Sequence, residues 1–158
     1  MQATGMVRPE GVPTLASWGR RLAAYLIDQM LILLTTVPGF ALLGLALAAD
    51  PDNEPLTAAG LVLVVAALFL VPPIYYTVMH GRSGQTYAKR WLGLKVVDAE
   101  TAATIGYGRA FGRWLLYFVL NFVCAVLVVL DGLWPLWDAQ NQTWHDKAVS
   151  SVVIHLPD

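Results

Sequence analysis

Arg21-Leu22-Ala23-Ala24-Tyr25-Leu26-Ile27-Asp28-Gln29-Met30-Leu31-Ile32-Leu33-Leu34 opens the first long apolar run of the chain. The run extends from Leu22 to Ala49, long enough to cross a bilayer as a helix. A carboxylate inside it is costly, about 2.5–3.5 kcal/mol at the helix centre and less toward the interface. Asp28 must therefore face protein or water rather than lipid. Arg21 shares its helix face but lies about 10 Å away along the axis, too far for easy contact on a straight helix. The expected partner of Asp28 is a cation from elsewhere, with Arg113, Arg109 and Lys89 the leading candidates.

Composition agrees with a membrane reading. Of 158 residues 57% are hydrophobic and 13% charged, about half the charged fraction of an ordinary soluble domain. A net charge of −1 gives no electrostatic case for nucleic acid, which demands clustered Lys and Arg. The single cysteine, Cys124, lies in an apolar run without a second cysteine to pair with, so it reads as a small packing residue.

Outward from the opening run, residues 1–17 are polar, with Pro9, Gly11 and Pro13, and read as a flexible N-terminal tail. Residues 18–158 read as a single membrane domain. The run from Leu22 to Ala49 exceeds the 7–15 residues or so of a signal-peptide core, so a retained span is the better reading. Its excess length is absorbed by tilt, by an end outside the hydrocarbon, or by a kink at Pro38-Gly39. An acidic turn, residues 50–55, leads to a second apolar run from Leu56 to Met79. Pro72-Pro73 should kink or end its helix, and Tyr75-Tyr76 fits an interfacial belt. Nine of the ten Lys and Arg residues flank this hairpin on one side, at Arg8, Arg20, Arg21 and between Arg82 and Arg113. The positive-inside rule makes that side cytoplasmic.

The third apolar stretch, Trp114 to Trp137, is interrupted by Asn121, Asp131-Gly132 and Pro135. It forms either a third span or a re-entrant helical hairpin that returns the tail to the cytoplasm, with Asp131-Gly132 as its polar turn. Strand patterning favours the return. Leu92–Val97 and Ser151–Ile154 are β-branched-rich runs of strand length, and Thr104-Ile105 is a candidate hairpin partner for the first. The fold class is thus an all-α integral membrane protein: a small helical bundle of two full spans plus the third element, with a minor cytoplasmic β-ribbon.

Three ordered motifs carry a resemblance. The Arg21-to-Asp28 spacing resembles the opening of the RDD family of bacterial membrane proteins, named for one arginine and two aspartates. Gly84-Gln85-Thr86, Lys89-Arg90 and Gly93-Leu94-Lys95-Val96-Val97 resemble its middle signature, and His145-Asp146-Lys147 with Val152-Val153 its closing motif. Ala88 replaces the family's usual glycine, and Ser151 its usual threonine. The resemblance implies Arg21, Asp28 and Asp146 as the polar cluster, with Asp131 or Asp138 as weaker candidates for the second aspartate. It also implies the bacterial cytoplasmic membrane and a proposed, unsettled transport role.

Bland readings stand beside these. Arg21 at a helix start ordinarily snorkels to headgroups. His145-Asp146 reads as a capped turn bonding backbone, Lys89 or Arg90 rather than as a metal site, because the other histidines are only His80 and His155. Asp28 gains functional weight if Asp131, Asn121 and Thr35 or Thr36 converge on one cavity. No nucleophile-base arrangement or phosphate loop appears, so no enzyme, cofactor or metal is expected. Trp91 and Leu92 beside Lys89, Arg90 and Lys95 suit anionic headgroups. The expected partners are the bilayer, a second copy or a larger membrane complex, and no nucleic acid. Two functions compete: a small transporter or ion-conducting protein that moves a small solute or ion through the cluster around Arg21 and Asp28, and a non-catalytic accessory or assembly protein that packs against a larger membrane complex.

Overall fold

The computed structural model describes residues 14–50 and 52–157. Helix α1 (Trp18–Leu34) runs almost directly into α2 (Val37–Ala49). The break falls at Thr35 and Thr36, just ahead of the expected kink, because Pro38 in the first turn of α2 cannot donate to the preceding turn. The Thr35 and Thr36 hydroxyls donate back to the Ile32 and Leu33 carbonyls at 2.6 and 2.7 Å. Asn53 caps α3 (Glu54–Phe69), its side chain accepting from the Leu56 amide. Helix α4 (Val71–Ser83) continues from α3 across Leu70, with proline in its first turn. Trp18–Ala49 and Glu54–Ser83 are each long and apolar enough to cross a membrane.

These two segments form a hairpin whose backbones meet. A Cβ added at Gly39 would lie 2.7 Å from the Val64 amide nitrogen, and one at Gly60 2.8 Å from that of Leu43. Small residues serve contact within the chain here. Gly84, left-handed at φ 74°, ends α4 and offers its carbonyl to the Val96 amide at 2.7 Å.

The short helix α5 (Tyr87–Trp91) leads into β2 (Leu94–Asp98). Strand β2 pairs antiparallel with β3 (Ser151–His155), Val96 opposite Val153, as the strand patterning predicts. The remaining strand departs from expectation. It is β1 (Thr14–Leu15), paired with Ile154 and His155, so β3 is central and the N-terminal tail is integrated from Thr14 onward. Residues 1–13 lie outside the described residues. Thr104-Ile105 forms no strand. The Asp98 carboxylate gathers the Glu100 and Thr101 amides and the Thr101 hydroxyl, curling the chain straight into α6 (Gly106–Val123).

Helix α6 ends where Cys124 adopts an extended conformation, and α7 (Ala125–Leu133) returns toward the sheet. The turn of this helical hairpin is therefore at Cys124, not at Asp131-Gly132. The Gly132 carbonyl accepts from the Trp18 indole at 2.8 Å, joining the end of α7 to the start of α1. A 3-10 turn (Trp134–Leu136) and α8 (Trp144–Ala148) then lead to β3. The main core sits at the junction of helices and sheet, where Leu94, Val96 and Val153 pack on Ala24, Ala88 and Ala110. Elsewhere the helices leave large apolar side chains uncovered by the chain itself, with Met30 68% and Phe122 83% exposed.

Candidate functional site

Helix α1 places Arg21, Tyr25 and Asp28 on one face by the spacing of successive turns. Around that face stand Tyr75, Tyr76 and His80 of α4, Lys89 of α5, Arg113 and Tyr117 of α6, Asp131 of α7, and His145 and Asp146 of α8. All of them but Tyr75 and Asp146 line a cavity of about 410 Å³ with a polar wall of Arg21, Asp28, His80, Lys89, Arg113 and Asp131. Leu22, Trp114, Val128, Val129 and Leu133 line its other side.

Asp146 is wholly buried behind this wall and fully engaged. Thr143 and Asp146 form a reciprocal capping box, with the Asp146 amide donating to the Thr143 hydroxyl at 3.1 Å. Arg21 pairs with Asp146 Oδ2, while Arg113 reaches Oδ1 at 2.7 Å and the Ser151 hydroxyl donates to Oδ1 at 3.3 Å. Burial pushes this carboxyl upward, but Arg113 and Arg21 outweigh it and hold Asp146 well below the usual carboxylate range. Arg21 also donates to the Asn141 carbonyl. The arginine of the opening run thus pairs with the closing motif.

Asp28 is equally buried and only half engaged. Its Oδ1 accepts from the Tyr75 hydroxyl at 2.7 Å and the Ala88 amide at 3.3 Å, whereas Oδ2 has no partner among the described residues. The expected ion pair to Arg113, Arg109 or Lys89 does not form. Arg113 is committed to Asp146. Arg109 binds Asp98 at 2.6 Å and the Val149 and Ser150 carbonyls, tying α6 to the sheet outside the cavity. Lys89 is buried, and among the described residues its ammonium makes no hydrogen bond or ion pair. Burial and the neighbouring Arg113 lower its pKa to about 8, against the opposing pull of Asp28.

Asp131 binds His145 twice, at 2.6 Å to Nδ1 and 3.2 Å to the amide. Because Arg113 can only donate, the tautomer that satisfies both neighbours has Nδ1 donating to Asp131 and Nε2 accepting from Arg113 at 3.3 Å. His145 and Asp146 thus engage Asp131, Thr143 and the arginines, not Lys89 or Arg90. Arg90 is exposed, because a step of one residue along α5 turns it away from Lys89. Asp138 lies near the surface on Lys147. Asn121 and Thr35 are exposed, and Thr36 is buried against its own turn, so none of them joins Asp131 at the cavity.

Sequence reasoning missed Tyr75, Tyr76 and His80. The Tyr75-Tyr76 pair reads as an interfacial belt, yet Tyr75 binds Asp28, and the Tyr76 hydroxyl and His80 Nε2 are buried without partners among the described residues. The available signal was the one-turn spacing from Tyr76 to His80 in an apolar run; their rings stack at 5.7 Å. Among the described residues no three His, Cys, Asp or Glu side chains gather as a metal site.

Comparison with known proteins adds the lineage. The chain is 26% identical over 161 aligned positions to the proline-rich antigen of Mycobacterium leprae, covering 87% of this chain and 59% of that one. It is 35% identical over 79 positions to the proline-rich antigen homolog of Mycobacterium tuberculosis, covering 50% of this chain and 31% of that one. An uncharacterized protein of Haemophilus influenzae is 30% identical over 71 positions, 45% of each chain. The chain thus spans between about a third and three-fifths of these relatives' lengths. No solved structure matches it. The RDD family description matches residues 15–150, from β1 to the residue before β3, and the chain belongs to that family.

Proposed function

We propose that this RDD-family protein is a multi-pass protein of the bacterial cytoplasmic membrane that passes a small polar solute through the cavity beside Arg21 and Asp28. The observation that carries the reading is Asp28, wholly buried, lining a cavity of about 410 Å³, with its Oδ2 unpaired among the described residues. A buried carboxylate oxygen without a donor costs about 1–3 kcal/mol or more, so its retention suits a site completed by a ligand. The uncovered apolar side chains of α1, α2, α3 and α6 suit lipid rather than water. The cavity adjoins the sheet, where the basic segments gather, which suits a vestibule on the cytoplasmic side. Exposed Tyr87 and Trp91 beside Arg90 suit anionic headgroups there. The protein carries out no covalent chemistry in this reading.

Flux in proteoliposomes tests it. The parent is expected to move a polar solute down its gradient, and Asp28→Asn to abolish that movement while still folding and inserting. Absence of flux under every gradient, together with stable co-purification of one membrane partner, would replace transport with an accessory role. A reporter joined after Asp158 is expected to be active on the cytoplasmic side. Activity only on the far side would overturn the orientation.

A further inference from the structure

We propose that the cavity binds a compact zwitterion of the α-amino acid class, its ammonium at Asp28, its carboxylate at Lys89, and an apolar side chain against Leu22, Trp114 and Val128. The inference deepens the solute-passage reading and rests on it. Three cations and three carboxylates meet around the cavity, but their engagement is unequal. Arg21 and Arg113 are taken by Asp146, and Asp131 is taken by His145. Among the described residues one oxygen of Asp28 has no hydrogen-bond partner and the ammonium of Lys89 no ion pair; the two groups are opposite in sign and not in ion-pair contact with each other. Both side chains are at least nine-tenths buried and line the same cavity.

A lone anion on Lys89 would bring a second negative charge beside Asp28. A lone cation on Asp28 would be repelled by Lys89, Arg21 and Arg113. A zwitterion serves both ends and adds no net charge beside two buried charged groups, where an uncompensated charge is the expensive outcome. Arg113 Nε and His80 Nε2, both buried without partners among the described residues, are further hydrogen-bonding groups for the carboxylate end. The volume of about 410 Å³ exceeds what the two charged groups need, and the wall of Leu22, Trp114, Val128, Val129 and Leu133 favours a branched or aromatic side chain.

The test is equilibrium binding to the full chain in lipid nanodiscs, by calorimetry. The probes are leucine and phenylalanine, isocaproate (leucine without its ammonium) and isopentylamine (leucine without its carboxylate). Leucine or phenylalanine is expected to bind at least about tenfold more tightly than either truncated probe. Asp28→Asn should cost the zwitterion about tenfold or more while sparing isocaproate, and Lys89→Met should do the same while sparing isopentylamine. Should either variant lose its folded melting transition, Leu22→Trp, which narrows the apolar wall, should weaken phenylalanine more than leucine in a chain with both charges intact. A truncated probe matching the zwitterions, or no zwitterion binding to folded parent, overturns the assignment. Zwitterion binding without flux upholds the ligand class and refutes transport; flux of another solute without zwitterion binding does the reverse.

Discussion

Asp146 and Asp28 are both withdrawn from solvent, and their surroundings differ in kind. Asp146 holds two arginines, a helix cap and a serine hydroxyl, and it joins the first helix, the sixth and the tail into one end of the molecule. Asp28 lines the cavity and holds a tyrosine and one amide, its second oxygen without a partner among the described residues. A saturated buried charge is a structural clamp. A half-saturated one invites a ligand, because its desolvation is incompletely offset by the protein.

The largest effect should come from the clamp. Asp146→Ala leaves Arg21 and Arg113 buried without their counter-charge and is expected to lower stability by about 3–5 kcal/mol in thermal unfolding of the purified protein. Adding Arg113→Met should recover part of that loss, since the stranded cation is most of the penalty. If the double variant is no better than the single, Asp146 is not the clamp described here.

Lys89 sharpens the other side of the contrast through pH. Its pKa falls from 10.5 to about 8 on burial, beside Arg113. Below about 8 the ammonium is charged in both folded and unfolded chains, and burying it opposes folding. Between about 8 and 10.5 the folded chain has released the proton that the unfolded chain still holds, so stability rises with pH. The gain across that window is about 2–3 kcal/mol. Melting curves of Lys89→Met should lack this rise, and an identical rise in both proteins would remove Lys89 from the unsatisfied site.

A smaller effect tests whether the Asp28 side depends on the helical hairpin. Gly60→Val drives a side chain into the Leu43 backbone and should cost about 1–3 kcal/mol. Hydrogen exchange should quicken in α2 and α3 while the β2–β3 pairing keeps its protection. Equal loosening of sheet and hairpin would mean the two regions are not separable.

Much of this frame is legible in the chain because its signals are local. The apolar runs, the prolines that interrupt them, and the β-branched runs of β2 and β3 each speak through a few adjacent residues. The charge network speaks through space. Arg21 and Asp146 are 125 positions apart, and nothing near Asp28 reveals that Arg113 has a better-placed carboxylate on α8. A two-residue strand such as Thr14–Leu15 is too short to display alternation, and the break at Cys124 has neither glycine nor proline to mark it. Tyr75 is ambiguous for another reason: an amphipathic tyrosine suits an interface and a buried hydrogen bond equally well.

The most direct test sets Asp28→Asn beside Asp146→Asn in one thermal-unfolding experiment. In Asp28→Asn the new amide retains an oxygen for Tyr75 and Ala88, so that variant should melt within about 3 °C of the parent. In Asp146→Asn the neutral amide cannot balance two arginines, and the variant should melt roughly 10 °C lower or fail to fold. Equal losses from the two substitutions would contradict the division between a carboxylate that holds the fold and one left half-engaged beside the cavity.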